Sequence, residues 1–579
     1  MEKQLLGGIA LCFLGLSILL WKDPWLHQRD DPIMDGVDAP RGLKEHAALF
    51  EKKEIVKVVD GVWVAIGFAL GNSIMVEGED GLMIIDVTEN VTVAREILAN
   101  FRNISSKPIT YIVYTHQHGD HYKGALGFIE DPENPPEIIC HELWETELHK
   151  HDAVIHHIRK QAANQFGNDI NDDAHLVGGP GPRMRMTLTV ATHSVHPTIK
   201  IKGEGEERII NGLRTQFIHM PGETRDHLAV FLPDKHVFFP GDNIYKSFPN
   251  LYAIRGSPPR DVRIWGDSVL RILDYNPEYV VPSHTYPIVG KDNITHTLTR
   301  YSNAIQLVHD QTVRYINHGL HPDEIADRVH LPKHLEEDTY LGQYYGTIQW
   351  SVKGVYMQYI GWFNGNPVDL FPVLPKERAQ RMVKMIGARQ LQRNAEEAFE
   401  TGDYKWALEL VSHLFTLDRN NEAAKLLRRD IFRTLASQQS SANARHFYIQ
   451  SAMNDANRLP TSFDPSEFIM SIPVVNILQA MKTVLKAEDV EGIRTNVVMN
   501  FTEIEEAYLL KLEDSVLRLS LIEERPEHVD IAMTCTSVLF KEFVTKRRNP
   551  LAAYIKGDLQ IEGGLLNFRT FMSYFESNF

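Results

Sequence analysis

The chain has 579 residues, of which 43% are apolar and 23% charged, with a formal net charge of −16. That length exceeds a single hydrophobic core and points to three or four domains, while the acidic balance argues against a nucleic-acid backbone as partner. Three cysteines, Cys12, Cys140 and Cys535, cannot staple a fold, so any metal is held by nitrogen and oxygen donors, which suits zinc or a similar divalent ion.

From Leu5 to Trp21 no charge interrupts LLGGIALCFLGLSILLW. Such a run spans a bilayer at the short end, or forms the apolar core of a signal peptide. Lys22, Asp23 and Pro24 stand where a small-residue cleavage pattern would be. The expectation is a signal-anchor and tether over residues 1–30, making a single-pass membrane-anchored protein of the secretory system. Secretion after leader cleavage is the alternative.

After a polar tether the chain reads as a meander: Ile55 to Ala69, Ser73 to Val76, and Leu82 to Ile85 ending in Asp86, punctuated by Gly71, Gly78 and Gly81. Val91 to Asn100 has helical spacing and leads to the apolar strand Tyr111–Tyr114. Behind that strand lies Thr115-His116-Gln117-His118-Gly119-Asp120-His121, with four potential ligands in six residues. His116 and His118 leave the same side of an extended backbone, and Asp120 and His121 follow a glycine that lets the chain turn toward a second centre. This is a compact recipe for a binuclear zinc site.

His141 to Gln165 reads as a solvated or site-covering helix, and 178–182 as a loop lacking the strand–helix frame of a phosphate cradle. Thr187 to Val190 and Glu207 to Ile210 return to strand character. Glu223 and Asp242 sit in Gly-flanked loops on either side of a hairpin, and His284 ends the strand Tyr279–Val281. One metal is therefore expected on His116, His118 and Glu223, the other on Asp120, His121 and His284, with Asp242 bridging. Seven ligands exceed what a closed structural zinc site needs, which points to hydrolysis.

From about His296 to Gln450 the chain is largely helical, with a helix–turn–helix around Thr401-Gly402-Asp403. An aromatic, Gly-rich loop from Gly354 to Pro367 interrupts it. Past Leu459-Pro460 a helix, four strands and two further helices form a last unit able to enclose an apolar groove.

These residues resemble a known group. Thr115 to His121, Pro221-Gly222-Glu223-Thr224, Gly241-Asp242 and Ser283-His284 look like the metallo-β-lactamase superfamily. Glu223, the run Asp120 to Gly127, Asn250 to Gly256 and the Gly361-Trp362-Phe363-x-Gly365-Asn366-Pro367 loop resemble its alkyl (type III) sulfatases. The resemblance implies an α/β fold: a metallo-β-lactamase αββα sandwich over 40–300, an α-helical dimerisation domain over 301–458, and an α+β sterol carrier protein 2-like domain over 459–579. It implies hydrolysis of alkyl sulfate esters to inorganic sulfate and an alcohol, two Zn2+ per chain on the seven ligands named, Arg255 as sulfate-binding and catalytic arginine beside Asp242, and a homodimer. Lys246, Tyr252, Tyr356, Trp362 and Asn366 are the remaining candidate substrate contacts. The family usually has glutamate at 242, and a histidine and a threonine where this chain has Pro249 and Ala253. Two alternatives are hydrolysis of another ester, phosphoester or thioester, by the same metals, and an inactive lipid-binding membrane protein.

Overall fold

The computed structural model describes residues 37–150, 154–184, 195–455 and 466–576. The first sheet has seven strands in sequence order: β1 (Glu54–Val59), β2 (Val62–Ile66), β3 (Ser73–Glu77), β4 (Leu82–Ile85), β5 (Ile109–Val113), β6 (Glu137–His141) and β7 (Ile199–Ile201). β1 to β4 pair antiparallel and β4 to β7 parallel. The second sheet contains β8 (Gly205–Ile210), β9 (Leu213–His219), β10 (Leu228–Leu232), β11 (Val237–Phe239), β12 (Tyr279–Val280) and β13 (Ile288–Val289), again side by side in order.

Period-two alternation decides how the sheets stack. Met83, Ile85 and Val113 face inward and join Val230, Val237 and Phe239 of the second sheet in one core. Their neighbours Ile84 and Ile112 point the other way, into a layer with Ala94, Ile97 and Phe101 of the helix Val91–Arg102. On the far side Phe238 packs with Trp265, Leu298 and Tyr301 from the helices Val262–Arg271 and Lys291–Asn317. The result is a helix–sheet–sheet–helix sandwich, with the parallel strand ends opening onto one edge.

The segment His141 to Gln165 is not one helix: His141 ends β6, and helices occupy Trp144–His149 and Ile155–Gln165. The strand expected at 187–190 lies outside the described residues. The aromatic loop begins later than its glycines suggest, because Gly354 falls within the helix Ile348–Ile360. Gly354 is there for closeness: a Cβ would meet the Tyr252 side chain at 2.8 Å. Beyond it five helices, Pro375–Ile386, Ala388–Glu400, Tyr404–Leu417, Glu422–Ser437 and Ala442–Asp455, pack each against the next in the chain. Asp403 caps the third by accepting from the Trp406 N–H, and Gly402 takes the positive φ the turn needs. The last unit is a five-stranded sheet flanked by helices, with a cavity of about 530 Å3 lined by Met481, Phe540, Val544 and Met572 and rimmed by Lys486 and Lys546.

One expectation is corrected. Among the described residues no helix is long and apolar enough to cross a membrane. The single-pass anchor, its transmembrane and signal-anchor character, the membrane as partner and the secretory placement drawn from it are therefore unsupported. The Leu5–Trp21 run on which they rested lies outside the described residues.

Candidate metal centre

β4 ends in Asp86, β5 runs into Thr115, β11 into Gly241 and β12 into Ser283, so four strand ends meet at one edge. Asp86, fully buried and at φ 57°, is the hub. Its Oδ1 accepts the Thr115 N–H at 2.9 Å. Its Oδ2 accepts the Thr115 hydroxyl at 2.9 Å, the Ser283 hydroxyl at 2.6 Å and His121 Nδ1–H at 2.7 Å. Because the Thr115 hydroxyl spends its proton on Asp86, it accepts from His116 Nδ1–H at 3.0 Å. His284 Nδ1–H donates to the Leu70 carbonyl at 2.7 Å. In all three rings Nδ1 donates to an outer partner and Nε2 is turned toward the other candidate ligands, the orientation that outer-shell partners impose on metal-ligating histidines.

Those Nε2 atoms converge. His116 Nε2 lies 2.9 Å from His118 Nδ1. His284 Nε2 is 3.1 Å from Asp242 Oδ2, with His121 Nε2 at 3.3 Å and His116 Nε2 at 3.7 Å from the same oxygen. Asp120 Oδ2 stands 3.5 Å from His121 Nε2 and 3.6 Å from His284 Nε2. The donors fall into two groups, His116, His118, Glu223 and Asp242, then Asp120, His121 and His284, each group within 4.8 Å. Asp242 also touches the second group, as a bridge would. Within this knot His121 Nε2, Glu223 Oε2 and Asp242 Oδ1 are buried without a hydrogen-bond partner. Three unpartnered buried atoms, each able to ligate a metal once deprotonated, fit a cation.

The protonation of the two groups differs. Burial, with the charge of His121, drives His116 well below the ordinary imidazole range, and burial with Arg255 and Arg260 does the same to His118. Burial pushes the Glu223 carboxyl up to about 7, against the pull of Arg260. In the second group burial disfavours charge, yet Asp242 and Asp120 outweigh it and hold His284 up at about 9. His121 is raised well above its ordinary value in the same way, and Asp242 is held well below its own by His121, His284 and His116 against burial.

Arg255 Nη2–H donates to His118 Nε2 at 3.3 Å, which places the expected anion ligand at the rim of the first group. Its backbone N–H is fixed by Gln165 Oε1 at 3.0 Å. The other candidates stand elsewhere. The Lys246 ammonium lies 5.9 Å from the centre of the Tyr340 ring. Tyr252 packs on Gly354, and Tyr356 is a core side chain. Trp362 is 68% exposed against Phe363, and Asn366 caps the short turn Pro367–Asp369.

Sequence reasoning missed several participants. Asp86 was legible only as a strand end, although a carboxylate at the end of the strand beside the histidine strand is a signal. His227, stacked on His116 with centroids 5.0 Å apart, accepts the Asp242 N–H at 3.0 Å, and burial lowers it to about 3. Arg260, which pairs with Glu223, had no local signal. Tyr345 packs with Leu70, Phe166 and Tyr245, and the next residue, Gly346, permits a backbone approach that a Cβ, 2.0 Å from the Pro249 carbonyl, would forbid.

Residues 66–284 match the metallo-beta-lactamase superfamily model, 321–457 the alkyl sulfatase dimerisation model and 462–578 the alkyl sulfatase C-terminal model. A linear primary-alkylsulfatase of Pseudomonas sp. is 30% identical over 527 residues, covering 87% of this chain and 98% of that protein. The alkyl/aryl-sulfatase of Saccharomyces cerevisiae is 26% identical, covering 98% and 88%. The solved stereoselective inverting sec-alkylsulfatase of Pseudomonas sp. superposes with a TM-score of 0.86 at 22% identity, over 94% of this chain and 88% of that one, which establishes the shared fold. Sandwich and ligand cluster together define a metallo-β-lactamase superfamily protein with candidate metal ligands. Within that superfamily the chain belongs to the alkyl sulfatases.

Proposed function

We propose that this protein hydrolyses alkyl sulfate esters to an alcohol and inorganic sulfate, with two zinc ions on His116, His118, Glu223, Asp120, His121, His284 and the bridging Asp242. The observation that carries the reading is the convergence of those seven donors, three of them with orphaned buried atoms, directly beside the Arg255 guanidinium. Bound cations would supply Lewis acidity for activating water and for neutralising an anionic leaving group. Ligation through His118 Nδ1 requires the proton on Nε2. The Arg255 N–H that now donates there would then turn outward and offer its paired donors to a sulfate oxyanion. Gln165 keeps the Arg255 backbone in place during that turn. Tyr252, three residues before Arg255, Lys246, Tyr356, and Trp362 with Asn366 are the remaining proposed substrate contacts.

The boundaries 40–300, 301–458 and 459–579 are proposed for the three domains. A homodimer through the helical region is supported by the exposed apolar side chains Phe371, Leu374 and Met385, which follow the aromatic loop. Sulfate release from a panel of alkyl and aryl sulfates tests the reaction. Turnover of alkyl sulfates is expected, and phosphoester or thioester turnover without sulfate release would replace the reading with the other hydrolase.

A further inference from the structure

Glu223 supplies a carboxylate to the first group, and the cost of that choice is electrostatic. With Asp120 and Asp242 it brings a third carboxylate to a centre meant to receive both cations and an anionic ester. Arg260 lies directly behind it, 7% exposed and packed with its guanidinium carbon 5.7 Å from the Trp265 ring centre. A single nitrogen, Nη1, donates to Glu223 Oε1 at 2.5 Å and to the Asn250 carbonyl at 2.6 Å. Glu223 Oε2 is left buried with no partner. The Glu223 N–H is held from the other side by Asn243 Oδ1 at 3.4 Å, while Asn243 Nδ2 donates to the Met220 carbonyl at 2.7 Å.

We propose that Arg260 is a positioning residue for the reaction: it occupies one oxygen of Glu223, offsets its charge, and so leaves Oε2 as the atom that would hold a cation of the first group, with little net charge on the ligand. Three observations carry this. The bond consumes Oε1 and leaves Oε2 free. The burial of both partners makes the ion pair strong and its geometry fixed. The same Nη1 holds the carbonyl of Asn250, which opens the Asn250–Gly256 loop, so the anion-binding Arg255 and the ligand Glu223 are set from one point. Without Arg260 the carboxylate keeps its full charge and can chelate through both oxygens. A carboxylate of that kind would still hold a cation but would leave it a weaker Lewis acid. The inference rests on the metal-site reading above.

The test is a double-mutant cycle on the zinc-loaded, full-length protein with octyl sulfate as substrate. Arg260→Gln should keep its zinc, with a dissociation constant by chelator competition within about threefold of wild type or tighter. Its kcat should fall about 10- to 100-fold with KM changed less than about threefold, which is the signature of lost transition-state stabilisation. Arg260→Lys, retaining the charge and losing the fork, should recover at least about threefold of that loss. In a Glu223→His background, removing Arg260 should cost less than about threefold. An equal loss in both backgrounds would overturn the proposal, because Arg260 would then act independently of Glu223; loss of zinc from a folded Arg260→Gln would overturn it as well. Should Arg260→Gln not fold, Arg260→Lys in the two backgrounds gives the same comparison. Wild-type protein that holds no zinc would sink the metal reading itself, a distinguishable result.

Discussion

His116, His118 and Glu223 form one half of the centre, and Asp120, His121 and His284 the other, each with two imidazoles and one carboxylate. In the first half every donor tends to neutrality: burial and nearby cations keep the two imidazoles unprotonated, and burial raises Glu223. The second half resolves into ion pairs, with His121 and His284 raised beside depressed carboxylates. Its rings are pinned by fixed acceptors, Asp86 and the Leu70 carbonyl, whereas the first half is governed from behind by Arg255 and Arg260. A cation must displace tightly held protons from one half and only the Glu223 proton from the other. The same ligands thus make a rigid, proton-competed site and an adjustable, charge-tuned one.

The largest break in this comparison comes from Asp86→Ala. It strips the acceptor from the Thr115 N–H and hydroxyl, the Ser283 hydroxyl and His121 Nδ1 at once. A buried network cut in this way costs roughly 3–5 kcal/mol of stability, and activity should fall at least about a thousandfold. Thermal melting and metal analysis check it; an active variant of normal stability would show that the second half does not depend on its hub.

Arg255→Ala should cost about a hundredfold in kcat/KM for an alkyl sulfate, from the loss of charged hydrogen bonds worth a few kcal/mol. Metal content should not change. Unaltered kinetics would move the anion contact to another residue.

The pH dependence sharpens the contrast further. His284, at about 9, is protonated in the metal-free protein throughout the neutral range, so affinity in its half should fall about tenfold for each pH unit below that value. Glu223, at about 7, begins to compete only below neutrality. Dialysis from pH 8 toward pH 6 should therefore release the cation of the second half first. The sign for stability follows from the same raised pKa. The His284 ion pair stabilises the metal-free fold fully below the unfolded value of 6.5, and this is lost as pH rises through about 9. His284→Ala should flatten that loss, by on the order of 1–3 kcal/mol.

Much of this was readable from residues alone, for identifiable reasons. Strand alternation and the spacing of His116, His118, Asp120 and His121 are local properties, and each distant ligand lies just past a buried strand or in a glycine-flanked loop. What was not readable depends on packing between distant segments. Asp86 becomes a hub only because β4 and β5 lie parallel, side by side, with Ser283 brought in from the other sheet. Arg260 acquires meaning only once the 250–260 loop folds behind Glu223. The helix over Gly354 escaped because its glycine serves contact with Tyr252, not a turn. The membrane anchor failed differently: an apolar run was read as a span, and the described structure contains no helix that could be one.

The central claim is that two half-sites each hold one zinc ion through these seven side chains. Elemental analysis of protein purified without chelator tests it most directly, on wild type and on one variant in each half. The account predicts close to two equivalents for wild type, with His284→Ala and His118→Ala each keeping about one, and His118→Ala losing activity along with the zinc of its half. One tightly held equivalent with full sulfate release would contradict it.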